Sequence, residues 1–192
     1  MNAYAHKKIR PPGYLSAWLW VVMLGWATST AQVYCAEPAP LKEYELKAGV
    51  LYHIIKYVEW PGSPATNQPA RIQIGLLGQL PQSKALEVLD GKRIEGRELV
   101  VKPVSNAYEI SSCQVLFIGA SEMTHLADIF GRVKNLPILT VGEFEGFAQR
   151  GGMINLIVAG NRVVMEVNRE VAEQAQLTIR SPLLKHAKMA SK

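Results

Sequence analysis

The side chains able to do chemistry are few and scattered. Cysteines stand at Cys35 and Cys113, and beyond the first 31 residues the histidines are His53, His125 and His186. No His-Glu-x-x-His pair and no Cys/His ligand spacing connects them, so no metal site is expected. Each histidine reads as a surface or interface side chain. Glu143 and Glu145 stand close enough to suggest a carboxylate pair, but spacing alone fixes no raised pKa, and the expectation is two solvated loop acids. Gly119, Ala120 and Ser121 do not extend to the elbow that exposes a nucleophilic serine, and Gly75 with Gly78 lacks the spacing of a pyrophosphate-binding loop. The chain is therefore not expected to be an enzyme, and no cofactor is expected.

Cys113 opens the apolar run Gln114 to Ile118, which places it half buried at a strand start. Free cysteine commonly serves as a small inert core thiol. In an oxidising compartment two further readings stand beside that one, a Cys35 to Cys113 bridge and a redox-active Cys113. The segment Gly151, Gly152, Met153, Ile154, Asn155, Leu156 puts two glycines at the entry to an apolar strand. They permit either a close approach by a ligand or partner, with Gly151, Gly152 and Asn155 as contacts, or a plain turn or bulge.

The elements that position these groups follow from periodicity. Lys42 to Trp60 reads as a helix stopped by Pro61. Tyr44, Ala48, Leu51, Ile55 and Val58 form one apolar stripe; Leu46, Val50, His53 and Tyr57 form a second, with Glu45, Gly49 and Lys56 between them. A helix apolar on two sides calls for two neighbours, and the second stripe is expected to meet another chain. Arg71 to Leu77, Glu98 to Val104, Cys113 to Ile118 and Ile138 to Val141 read as strands, alternating with helices over Ser83 to Leu89 and His125 to Lys134. Met153 to Val158 and Arg162 to Val167 read as an antiparallel hairpin turning at Ala159, Gly160 and Asn161. Asn168 should cap a helix through about Ala175, and Ser181 with Pro182 should open a last short one. The expected fold is one α/β domain with a mixed, mostly parallel sheet, helices on its faces and a C-terminal antiparallel hairpin.

Composition narrows the classes further. Of 192 residues 48% are hydrophobic and 19% charged, which excludes disorder and low complexity. The net charge of +5 owes much to Lys7, Lys8 and Arg10; without them 18 basic side chains face 16 acidic ones, with no basic run. Nucleic acid is therefore not an expected partner. A basic start, an apolar run from Tyr14 to Ala27 and small residues at Thr28 to Ala31 have the layout of a secretory signal peptide over residues 1–31. Cleavage is expected after Ala31, with a cut near Cys35 or Ala36 as the alternative. An uncleaved anchor would need about 20 apolar residues, more than this run holds. Residues 32–41 then form a flexible tail and 42–188 the domain, outside the cytoplasm.

Several stretches together resemble the YfiR/HmsC-like periplasmic regulators. In the first helix these are Lys47, Ala48, Leu51 and Tyr52, then the run from Tyr57 through Val58, Glu59 and Trp60 to Pro61. The strand led by Cys113, the stretch Leu139 to Val141, the Gly151 to Leu156 segment, Glu166 with Asn168, and Ser181 with Leu183 and Leu184 follow in order. The resemblance spans roughly Tyr44 to Ala187. It implies a periplasmic inhibitor that holds the periplasmic domain of an inner-membrane diguanylate cyclase in check, lowering cyclic di-GMP and biofilm formation, with redox or envelope cues as the release. It adds Glu59 and Trp60 to the contact residues. Many relatives carry a first-strand cysteine that can pair with the one matching Cys113; Gly75 stands there in this chain. His53 and Ile54 replace Asn and Phe, and Pro182 and His186 also depart from the family pattern.

Two classes of function remain. One is a regulatory protein that docks on a membrane cyclase, with a homodimer and a small-molecule ligand as further associations. The other is a periplasmic small-molecule-binding module without a cyclase partner, its ligand at the carboxyl ends of the parallel strands. A hydrolase with a motif-free site is the least supported.

Overall fold

The computed structural model describes residues 40–61, 71–160 and 162–190. The leader, Cys35 and Asn161 lie outside the described residues. Helix α1 runs Pro40–Lys56. It ends four residues earlier than the periodicity predicts. Tyr57 N–H turns back onto the Ile54 carbonyl, and Val58–Glu59 leaves as a short strand, β1. The β-branched Val58 and the following Trp60 and Pro61 suit extended backbone better than another helical turn.

The main sheet is built from β2 (Arg71–Leu77), β3 (Arg93–Ile94), β4 (Arg97–Val104), β5 (Val115–Ile118), β6 (Leu139–Gly142), β7 (Ile154–Ala159), β8 (Arg162–Val167) and β10 (Lys188–Met189). Its spatial order is β10-β8-β7-β6-β5-β2-β4-β3. Pairing is parallel from β4 through β7 and between β8 and β10, and antiparallel for β7 with β8 and for β3 with β4. The expected mixed, mostly parallel α/β sheet with its hairpin is the observed one. The expected strands at 71–77 and 162–167 have the bounds predicted, whereas the third begins two residues after Cys113. A separate antiparallel pair joins β1 to β9 (Thr178–Ile179).

Short apolar strands are buried on both faces, as parallel sheets require. Ile72, Ile74, Val115 and Phe117 face one core beneath α1, while Leu77, Leu116 and Ile118 face the other. The first core is completed by α2 (Ser83–Glu87), α5 (Arg169–Gln174) and α6 (Ser181–Leu184), the second by α3 (Ala107–Ser111) and α4 (Leu126–Val133). A 3₁₀ segment, Ala120–His125, leads into α4, so only the second part of that stretch is α-helical. Asn168 caps α5 as expected, accepting from Val171 N–H at 3.2 Å, and Asn106 caps α3 in the same way.

Candidate docking surface

One side of α1 is firmly engaged. Leu51, Ile54 and Ile55 are fully buried, each contributing about 1.5–3 kcal/mol of apolar burial. Ile54 belongs to this face, which is broader than its sequence stripe. So does Lys47, only 3% exposed. Its ammonium meets Glu143 at 2.9 Å and also Glu43, above the Tyr44 ring at 4.9 Å. Tyr44 donates to the other oxygen of Glu143 at 2.9 Å. Burial, followed by the Glu143 charge, pushes the Tyr44 phenol well above its usual range. Glu143, just past the end of β6, is thus not a solvated loop acid but the counter-ion that fastens α1 to the sheet. Glu145 is exposed, so the two acids form no pair.

The second stripe of α1 is only half covered. Leu46, Val50 and Tyr57 are partly buried and His53 is exposed, its ring 4.8 Å from that of Tyr57. Val50 and His53 border a groove of about 430 Å³ whose far walls are Val163 and Met165 of β8 and Leu183 and His186 around α6. The two histidines stand on an otherwise apolar lining. Beside it the outer edge of β8 is open: β10 pairs only with Glu166 and Val167, and among the described residues no strand pairs with Arg162 to Met165 on that side. On the other flank of α1, toward α2, lies a hollow of about 510 Å³ with Glu45, Lys84 and Lys92 among its lining. These charged side chains stand among apolar ones, including Ala48, Val88 and Leu89.

The remaining candidates are placed elsewhere. Glu59 and Trp60 sit on and after β1, where Arg180 holds Glu59 at 2.6 Å and approaches Glu95 at 4.0 Å. Arg97, at the start of β4, lies over the Trp60 ring at 5.6 Å. Gly151 has φ +109° and borders a third hollow of about 300 Å³ formed by α4, β6 and α5. Gly152 is required by a close approach, but the approaching group is the chain's own: a Cβ there would stand 2.1 Å from the Phe147 ring. Asn155 is fully buried, donating to the Phe144 carbonyl at 2.9 Å and to Glu166 at 3.1 Å. Gly152 and Asn155 are thus both buried among the chain's own groups, with Asn155 Oδ1 left without a hydrogen-bond partner. Val50 and His53 share one wall; Gly151 does not join them.

Cys113 is more deeply buried than half, at 3% exposure. Its thiol donates to the Glu109 carbonyl at 3.2 Å, and burial raises its pKa. Both disfavour the reactive thiolate. A Cβ on Gly75 would lie 2.7 Å from its sulfur, so this position of β2 faces the thiol directly.

The parallel strands reverse direction of addition at β2, which has β4 on one side and β5 on the other. At their carboxyl ends, where a crevice is expected, the loops after β2 and β5 bond to each other. Ser121 accepts a bond from Gln79 N–H at 2.8 Å, and a Cβ on Gly119 would meet Leu80 at 2.9 Å. Among the described residues no group of three or more His, Cys, Asp or Glu side chains is arranged to hold a metal ion, and no helix is long and apolar enough to cross a membrane.

The YfiR/HmsC-like family matches residues 44–188 of the chain. Among solved structures, a conserved domain protein from Vibrio cholerae O1 biovar El Tor is similar at 13% identity and a TM-score of 0.52, covering 77% of this chain and 60% of that one. An ABC domain in complex with L-Trp from Streptococcus pneumonia shares 11% identity at a TM-score of 0.48, over 78% of this chain and 61% of that one. The chain thus spans about 60% of the length of the structures it matches. Likeness at such identity concerns the fold.

Proposed function

The chain belongs to the YfiR/HmsC-like family, and from that premise we propose that it docks on the periplasmic domain of an inner-membrane diguanylate cyclase and inhibits it, lowering cyclic di-GMP and biofilm formation. Membership supports a periplasmic regulatory role. The reading adds the cyclase as partner, and export through a cleaved leader over residues 1–31 brings the domain at 42–188 to it. The observation that carries it is the groove between α1, β8 and α6, with Val50 and His53 on one wall and the open edge of β8 alongside. An unpaired strand edge next to an apolar groove is suited to receive an extended segment of a partner, main chain against main chain and side chains into the groove. The reading assigns no catalytic group.

Deleting the gene should raise cellular cyclic di-GMP and surface attachment, and the wild-type gene returned in trans should reverse both. Unchanged cyclic di-GMP in the deletion strain, while the wild type makes the protein, would falsify the reading.

A further inference from the structure

We propose that Arg97 and Trp60 together form a receptor for a single carboxylate group. Arg97 is 8% exposed, yet among the described residues its guanidinium has neither a hydrogen bond nor an ion pair. Its Nε is buried without an acceptor, and so is Nε1 of Trp60, whose ring lies 5.6 Å from the guanidinium carbon. Buried donors are nearly always paired, since leaving one unpaired forfeits its solvation. Two orphan donors on side chains in contact, one of them on a cation, suit an anionic acceptor.

The neighbouring acids do not fill this role. Glu59 is engaged by Arg180 at 2.6 Å, and Glu95 stands 4.0 Å from the same arginine. They do select the ligand. A phosphate dianion would add two charges beside the acid Glu95, whereas a monoanionic, planar carboxylate matches the guanidinium fork and adds only one. The Trp60 N–H supplies a further donor. The site is separate from the groove between α1, β8 and α6 and does not depend on the cyclase reading. The carboxylate has two sources, a free small acid or an acidic side chain of a bound protein.

The test uses the full chain with its tryptophan indole nitrogens isotopically labelled. Trp60→Phe identifies the Trp60 N–H signal by its loss. Titration with sodium acetate at constant ionic strength should move that signal saturably, and chloride should not. Arg97→Gln should abolish the saturable shift, and Arg97→Lys, which keeps the charge and loses the fork, should weaken binding about tenfold. A capped peptide bearing one glutamate and, separately, benzoate then distinguish the sources: tighter binding of the peptide assigns the carboxylate to a protein, tighter binding of benzoate to a free acid. Absence of a saturable shift in folded wild type, the result expected if only water fills the space, overturns the proposal. A shift that survives Arg97→Gln overturns it as well; should that variant fail to fold, undiminished affinity in Arg97→Lys does the same.

Discussion

Among the described residues two cations are buried, each against an aromatic ring, and they have been treated in opposite ways. Lys47 is surrounded by Glu43, Glu143 and the Tyr44 ring, every contact made within the chain. Arg97 lies over Trp60 with no acid in contact and one N–H left unpaired. Burial accordingly lowers the pKa of Arg97, with Glu95 acting in the opposite direction. A buried charge that is fully paired fastens elements together; one left incomplete can be completed by something else. The same contrast recurs on a larger scale. The space over Gly152 is filled by the chain's own Phe147 ring, while the outer stripe of α1 and the edge of β8 are only partly covered.

The closed Lys47 site should produce the largest effect. Lys47→Met retains apolar volume but strands Glu143, 6% exposed, without its cation. Breaking a buried pair from one side costs about 3–5 kcal/mol. Denaturant unfolding should show that loss, and Lys47→Met combined with Glu143→Gln should recover much of it. A single variant within about 1 kcal/mol of wild type would mean that the site is open to water and that the contrast with Arg97 is false.

Next in size is the Gly75 position, where closure can be made covalent. Gly75→Ala forces a methyl to 2.7 Å from the Cys113 sulfur and 3.1 Å from both Val104 methyls, and overpacking of this kind costs about 1–3 kcal/mol. Gly75→Cys under oxidising conditions should reverse the sign, because the close contact becomes a bond and a disulfide adds about 2–4 kcal/mol. Melting with and without reductant, together with thiol counting, reads the difference. If Gly75→Cys stays reduced under oxidant, the strand faces are not aligned as described. In the wild type, Cys113→Ser should leave the proposed inhibition intact, since no partner stands at Gly75, unless Cys35 survives cleavage and reaches it.

Much of this contrast could be read in the residue pattern, and some of it could not. The strands at 71–77 and 162–167 were legible because a buried strand is a short apolar run with turn residues at its ends. The cap at Asn168 was legible because it is a local hydrogen bond. β1, β9 and β10 hold two residues each, too few to show any period. The helix at Ala107–Ser111 escaped as well, although Asn106 with Glu109 three residues later signals its start. Lys47 was also readable in principle: it lies three residues after Tyr44 and four before Leu51, on the apolar face, and a lysine there demands a buried carboxylate. Which of sixteen acids would answer, and whether any would answer Arg97, depends on contacts far apart in the chain. Glu143 is 96 residues from Lys47.

The smallest change in stability and the largest in function should come from the open side, at Val50. The residue is partly buried, packs against the first core along one edge and lines the groove along the other. Val50→Asp forfeits the packed edge, but its carboxylate can turn toward solvent and lies one helical turn before the exposed His53. The cost should be about 1 kcal/mol, in the ordinary range for a half-exposed position. An unpaired acid in a closed core would instead cost several kcal/mol. Association with the cyclase's periplasmic domain should weaken markedly, because a charge would then stand where an apolar side chain of the partner must enter the groove. Two measurements, unfolding by denaturant and co-purification with the cyclase, separate the cases. Unfolding of the isolated variant would move Val50 to the closed class and send the search for the interface to the hollow beside Gly151. A folded variant that still binds and inhibits normally would leave the groove open but unused, and the distinction between filled and unfilled surfaces would then say nothing about where the partner sits.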